Sequence, residues 1–337
     1  MGERLPYIDF LKVVACIAVI NLHCTSPWVT NFLGTPLWFI AMLDAIFTHL
    51  AVPMFFMLAG AVIPQRTIVL REHYKKVLIR YILPTIACLV FYKILGVVLL
   101  GHTTFFEGVF YSIERNPGFH LWFMWVYIGY MLVMPALAAI AKDDGARTVF
   151  FYVGFIYTFI VPLLSSAFEI RFPVTNVLFT VYGFYFIAGN HLAVMKKQFD
   201  PKLLLKILAA MSVITYAFAT LSSHGDTTYT AKFLTANSML IFINTSLVFL
   251  IFKSHITSYN TIISFLSKHT FNIYLLHIDF FLKPFSFLAF PMVNMKGLLG
   301  SIFFTTPVTF ILCLATSCTL VAAKTLLHRK FFRKDMA

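Results

Sequence analysis

Lys12 and His23 lie eleven residues apart in the first apolar stretch of a chain that carries little charge. Eleven steps of ~100° bring a helix back to within ~20° of its starting direction, so both side chains share one face. They stand roughly 16 Å apart along the axis, about half the hydrocarbon thickness of a bilayer. Histidine moves protons near neutral pH and lysine holds anions, and ionisable groups at membrane depth are generally kept for function. Asp9, three residues before Lys12, can pair with it across one turn and reduce the cost of burying it. A snorkelling lysine or an interfacial histidine would explain either residue alone. The shared face, with Asp9 below, favours function.

These residues need a membrane-spanning scaffold. The 337 residues are 60% hydrophobic and 12% charged, with mean hydropathy +0.86. Soluble domains carry about 25% charged residues, so this chain cannot hide its apolar surface in a water-soluble core. The formal charge of +13 does not indicate a nucleic-acid partner, because the basic residues are spread over short loops. Five cysteines with no CxxC pair, in or beside apolar segments, suggest buried thiols rather than disulfides or a metal site.

Apolar runs at 7–29, 36–63, 77–100, 119–141, 148–168, 174–194, 203–222, 233–253, 260–282 and 297–325 are candidate spans. Residues 1–337 are expected to form a single domain. The expected fold is an all-α integral membrane protein of about ten transmembrane helices with both termini cytoplasmic. His49 and Pro53 predict a kink or break in the second span. Lys268, His269 and His277 interrupt the ninth. With the N-terminus inside, the outer loops hold only Arg115, Arg171, Lys232, Lys283 and Lys296. The inner segments take most of the remaining Lys and Arg, the pattern that orients membrane proteins. The connections around 64–76 and 101–118 could hold short amphipathic or re-entrant pieces.

The densest basic stretch before the C-terminus is the first inner loop, with Arg71, Lys75, Lys76 and Arg80. Orientation alone explains such a cluster, yet a basic mouth would also suit a phosphate-bearing cytosolic ligand. Lys324 to Lys334 reads as a stop signal and lipid anchor. His120, in His-Leu-Trp122-Phe, and His277, in Ile-Tyr274-Leu-Leu-His, lie in or beside apolar spans. They could add polar groups to one cavity. Their spacing gives no metal site, and there is no Walker loop, GxGxxG or serine elbow.

In order along the chain, these segments resemble the acyltransferase-3 family of integral membrane acyltransferases. Tyr7-Ile-Asp-Phe-Leu-Lys12, ten residues and then His23 is similar to its opening Arg/Lys-x10-His signature. Val52-Pro-Met-Phe-Phe-Met-Leu-Ala-Gly60 resembles its Val-Pro-Phe-Phe-x-x-Ser-Gly stretch, with Ala59 where Ser is common. Arg80-Tyr-Ile-Leu-Pro84 resembles Arg-x-x-x-Pro, and His120-Leu-Trp-Phe its middle-helix start. Ser267 to His277 resembles Ser/Thr-x-x-Ile-Tyr-Leu-x-His. Without an appended hydrolase-like domain, the chain looks most like the enterobacterial common antigen O-acetyltransferase branch.

The resemblance implies a multi-pass enzyme of the bacterial cytoplasmic (inner) membrane. Such an enzyme transfers an acyl group, usually acetyl, from acetyl-CoA as donor to a hydroxyl of a lipid-linked or surface glycan. A sugar hydroxyl is a poor nucleophile, so His23 is expected as general base, or as a transient acyl carrier. Lys12 would hold a CoA phosphate or stabilise charge on the thioester carbonyl, positioned by Asp9. Arg71, Lys75, Lys76 and Arg80 become candidate CoA contacts; His120, Trp122, Tyr274 and His277 become pocket candidates. The rival reading is a transporter or flippase for a glycan or lipid, which an inverted repeat would favour; none is evident.

Overall fold

The structure, a computed structural model, describes residues 5–62, 68–100, 120–168, 180–222, 232–278 and 295–332. The secondary structure of these residues is helical, with no strand. Among the described residues, seven helices are long and apolar enough to cross a membrane: Pro6–Asn31, Pro36–Ala61, Trp122–Lys142, Asp144–Ser165, Pro201–Leu221, Lys232–His255 and Met295–Leu326. The other expected spans, 77–100, 174–194 and 260–282, also carry helix, and each includes positions outside the fully described set. Residues 101–118, where a re-entrant piece is expected, lie outside the described residues. All five cysteines are free thiols, with Cys16, Cys24 and Cys313 buried.

Helix α1 (Pro6–Asn31) starts with Pro6 in its first turn and Asp9 on the positive end of the helix dipole. Gly34, at φ +76°, turns the chain, and Thr35 Oγ1 accepts from Trp38 N to cap α2 (Pro36–Thr48). The expected break in the second span falls at His49 and Leu50, before α3 (Ala51–Ala61). His49 is four residues before Pro53, so its carbonyl is the one that Pro53 cannot bond.

At three further prolines the same constraint has a different outcome. Helix α4 (Leu70–Val77) passes through a π-helical turn, Leu78–Ile82, into α5 (Leu83–Leu100). After α6 (Trp122–Lys142), α7 (Asp144–Phe155) joins α8 (Val161–Phe168) through a π turn at Ile156–Ile160. There follow α9 (Val181–Val194), α10 (Pro201–Leu221), α11 (Met239–His255) and α12 (Thr261–Leu276). Finally α13 (Met295–Gly300) joins α14 (Thr306–Phe332) through a π turn at Ser301–Thr305. Pro84, Pro162 and Pro307 each stand two residues beyond a π turn. Just before each proline, Leu83, Val161 and Thr306 donate to a carbonyl five residues back. Widening the turn accommodates the proline ring without ending the helix.

Helix directions around α1 follow from the contacts. Asp9 meets Ser267, Cys16 meets the Thr270 carbonyl and His23 faces His277, so α1 and α12 run parallel. Thr306 Oγ1 donates to Asn21 Oδ1, while Lys324 shares a cavity with Lys12, so α14 runs antiparallel to both. The start of α1 and the far half of α14 therefore lie at one end of the bundle.

The broadest helix contact joins α3 and α9. A Cβ on Gly60 would lie 1.8 Å from the Phe186 carbonyl oxygen, and one on Gly189 would lie 2.0 Å from that of Met57. The two helices thus touch backbone to backbone, and Asn190 Nδ2 donates to the Gly60 carbonyl at 3.1 Å. Gly60→Ala and Gly189→Ala should each destabilise the bundle by about 1–3 kcal/mol and lower its melting temperature in detergent by about 5 °C. Gly129, whose added Cβ would meet nothing within 4 Å, is the control: Gly129→Ala should melt at or slightly above the wild-type temperature.

Candidate active site

The site has two levels, stacked along α1. The lower level is a cavity of about 680 Å³, within the range of small-molecule sites. Lys12 from α1, Arg80 from the π turn before α5, Lys268 from α12 and Lys324 from α14 all line it, and among the described residues no carboxylate does. Four cations on four helices around one apolar-walled space give it a charge that would suit a polyanion. Just below Lys12, Ser267 Oγ donates to Asp9 Oδ1 at 2.7 Å and ties α12 to the buried base of α1.

The upper level holds three imidazoles. His277 lies with its ring centroid 5.3 Å from that of His23 and 5.1 Å from that of His120. His120 and His277 are buried, whereas His23 is partly exposed. Tyr274 joins the levels: it lines the cavity, its hydroxyl donates to the His120 carbonyl, and its ring lies 5.4 Å from His277. The Leu275 carbonyl gathers Tyr92 Oη, Cys88 Sγ and His120 Nε2, pinning α5 and the start of α6 to α12.

The residues anticipated from sequence divide accordingly. Lys12, Arg80 and Tyr274 line the cavity; His23, His120 and His277 converge above it. Asp9 sits beneath Lys12, bonded to α12. Arg71, Lys75 and Lys76 are exposed on α4, outside the cavity lining. Trp122 lies 37% exposed beside Tyr182, away from the cavity. Lys268 and Lys324 were the omissions. Sequence reading treats the first as an interruption of a span and the second as an anchor. The signal that singles out Lys12, a cation inside an apolar run, also applies to Lys268.

The Arg80-x-x-x-Pro84 spacing has a structural cause. Pro84 cannot bond the carbonyl of Arg80, four residues back, and the π turn that absorbs this defect carries Arg80 at its centre. Closing the turn to α-helix would remove one residue of register, a rotation of about 100° for the side chains on one side of it. Pro84→Ala should therefore turn Arg80 from the cavity and weaken polyanion binding about tenfold, with normal abundance in the membrane. Titration of a fluorescent CoA analogue against the two proteins would measure it.

No curated protein matches the chain, and no solved structure does. A protein-family model described as an acyltransferase domain, that of acyltransferase-3, matches residues 5–323 and so covers the site at both levels except Lys324. The chain is a multi-pass membrane protein and belongs to the acyltransferase-3 family.

Proposed function

We propose that the protein is an O-acyltransferase that moves an acyl group, acetyl in our reading, from cytosolic acyl-CoA to a hydroxyl of a cell-surface or lipid-linked glycan. The observation that carries this reading is the cavity ringed by Lys12, Arg80, Lys268 and Lys324, with Tyr274 backing onto two of the three histidines. CoA phosphates would be held by the cations, and the pantetheine arm would run up α1 towards His23. Lys12 then serves the phosphates rather than the thioester carbonyl, because it lies roughly 16 Å of helix rise below His23. Asp9, held by Ser267, sets its position.

The thioester is already activated, so the barrier lies in the weak hydroxyl nucleophile. His23 takes the hydroxyl proton as the oxygen attacks the thioester carbonyl. The tetrahedral intermediate expels CoA thiolate, which takes that proton back. In this reading the cavity end faces the cytoplasm, with both termini there and about ten passes, in a bacterial inner membrane.

The reconstituted protein should transfer acetyl from acetyl-CoA to such a glycan. His23→Ala should abolish transfer at wild-type abundance, and undiminished transfer would overturn the assignment of the base, whereas Lys12→Ala, which removes one of the phosphate-holding cations, should raise KM for the donor at least about tenfold. Lys268→Ala and Lys324→Ala should raise KM for the donor about tenfold with little change in kcat, since they remove binding shared by ground and transition states. Mass spectrometry of surface glycans with and without the gene should show a fixed acyl mass difference, which names the group transferred.

A further inference from the structure

We propose that His277 is a positioning residue for His23: its Nε2 accepts the inward N–H of His23 and holds the other nitrogen towards the acceptor hydroxyl. This rests on the reading of His23 as general base. His277 is 0% exposed, and its Nδ1 lies 2.6 Å from the Tyr274 carbonyl oxygen. A carbonyl oxygen only accepts, so Nδ1 carries the hydrogen and Nε2 presents a lone pair. That lone pair has no hydrogen-bond partner among the described residues. Leaving a buried acceptor unused is costly, so such a group points to a partner supplied during function.

The neighbouring hydrogens are committed elsewhere. His120 directs its Nε2 hydrogen at the Leu275 carbonyl, 3.3 Å away, which leaves its Nδ1 without a hydrogen in the neutral ring. Tyr92 donates to that same carbonyl, and Tyr274 donates to the carbonyl of His120. His23 is the remaining ring beside His277, at 5.3 Å between centroids with the planes inclined at 38°. At that spacing, a turn of the His23 ring brings an N–H within hydrogen-bond reach of Nε2.

The bond would act as the third member of a triad acts on its base, fixing tautomer and orientation. A neutral histidine has one N–H. With that N–H turned inwards, the bare nitrogen faces the acceptor. When it takes the hydroxyl proton, the positive charge on His23 is stabilised by the His277 lone pair. The proton leaves with CoA thiolate as the C–S bond breaks, and His277 keeps its own hydrogen throughout.

Two variants of the reconstituted full-length protein test this. His277→Phe, or His277→Leu if the first does not accumulate, removes the acceptor. His277→Gln supplies an amide oxygen in its place. The apolar variant should lose about 100-fold in kcat with donor KM within about twofold of wild type, and the Gln variant should recover at least about tenfold of that loss. A second readout needs no turnover: the rate at which diethyl pyrocarbonate modifies His23, followed by peptide mass spectrometry. It should slow at least threefold in the apolar variant and recover in the Gln variant. The proposal is overturned if either readout stays at the wild-type value in the apolar variant, or if Gln restores neither. A wild-type protein that transfers no acyl group would overturn the proposed function instead, while the modification rates would still decide the role of His277.

Discussion

Helices in hydrocarbon gain nothing by hiding apolar side chains from one another, since lipid is as apolar as leucine. What holds this bundle together must therefore be close backbone approach and polar contacts that cannot be made with lipid. Gly60 and Gly189 supply the first between α3 and α9. The second recurs at one interface after another. Asp44 accepts from Asn21 and Thr25, joining α2 to α1. Ser317 meets His269 and Asn272, joining α14 to α12, and Asn244 donates to Thr215 between α11 and α10. Lys253 Nζ donates to the carbonyls of Leu192 and Met195 at the end of α9. That ammonium also meets the negative end of the helix dipole.

The same requirement places the candidate site. α1 is the helix on which these contacts concentrate, with Asp9 and Cys16 tied to α12, and Asn21 to both α2 and α14. Every polar residue on α1 that fixes a neighbour also fixes the height of Lys12 and His23 against that neighbour. Lys12 consequently meets Arg80, Lys268 and Lys324 at one level, and His23 meets His277 and His120 at another. Stability and site geometry come from one set of bonds. In our reading this lets a membrane acyltransferase hold a charged donor and an uncharged hydroxyl on a single rigid axis.

Much of this is legible in the residues, for reasons that also mark the limit. Apolar length reveals helices because lipid leaves few alternatives, and Pro53 reveals the break at His49 because the missing hydrogen bond falls four residues back. The shared face of Lys12 and His23 follows from helical period alone. Convergence is different, because it depends on packing between segments far apart in sequence. Arg80, which lines the cavity, and Lys76, which does not, stand in one basic stretch, and only Arg80 lies four residues before a proline. The difference is the π turn that Pro84 imposes between them, and its meaning emerges only once α5 has a neighbour. Likewise Trp122 and Phe123 are adjacent in one motif, yet only Phe123 lines the cavity, since neighbouring positions on a helix point about 100° apart.

Tyr274 shows why the two levels belong to one site. It occupies the boundary: it lines the cavity, its hydroxyl holds the His120 backbone, and its own carbonyl fixes the His277 tautomer. A ligand pressing on that ring from below therefore acts on a residue bonded to two of the three histidines above. The partial exposure of His23, against the burial of its two companions, gives the cluster a front and a back. In the proposed reaction the hydroxyl arrives at the front, where the base can be reached. The back is where tautomers must be held, and burial there excludes the water that would otherwise compete for each ring nitrogen.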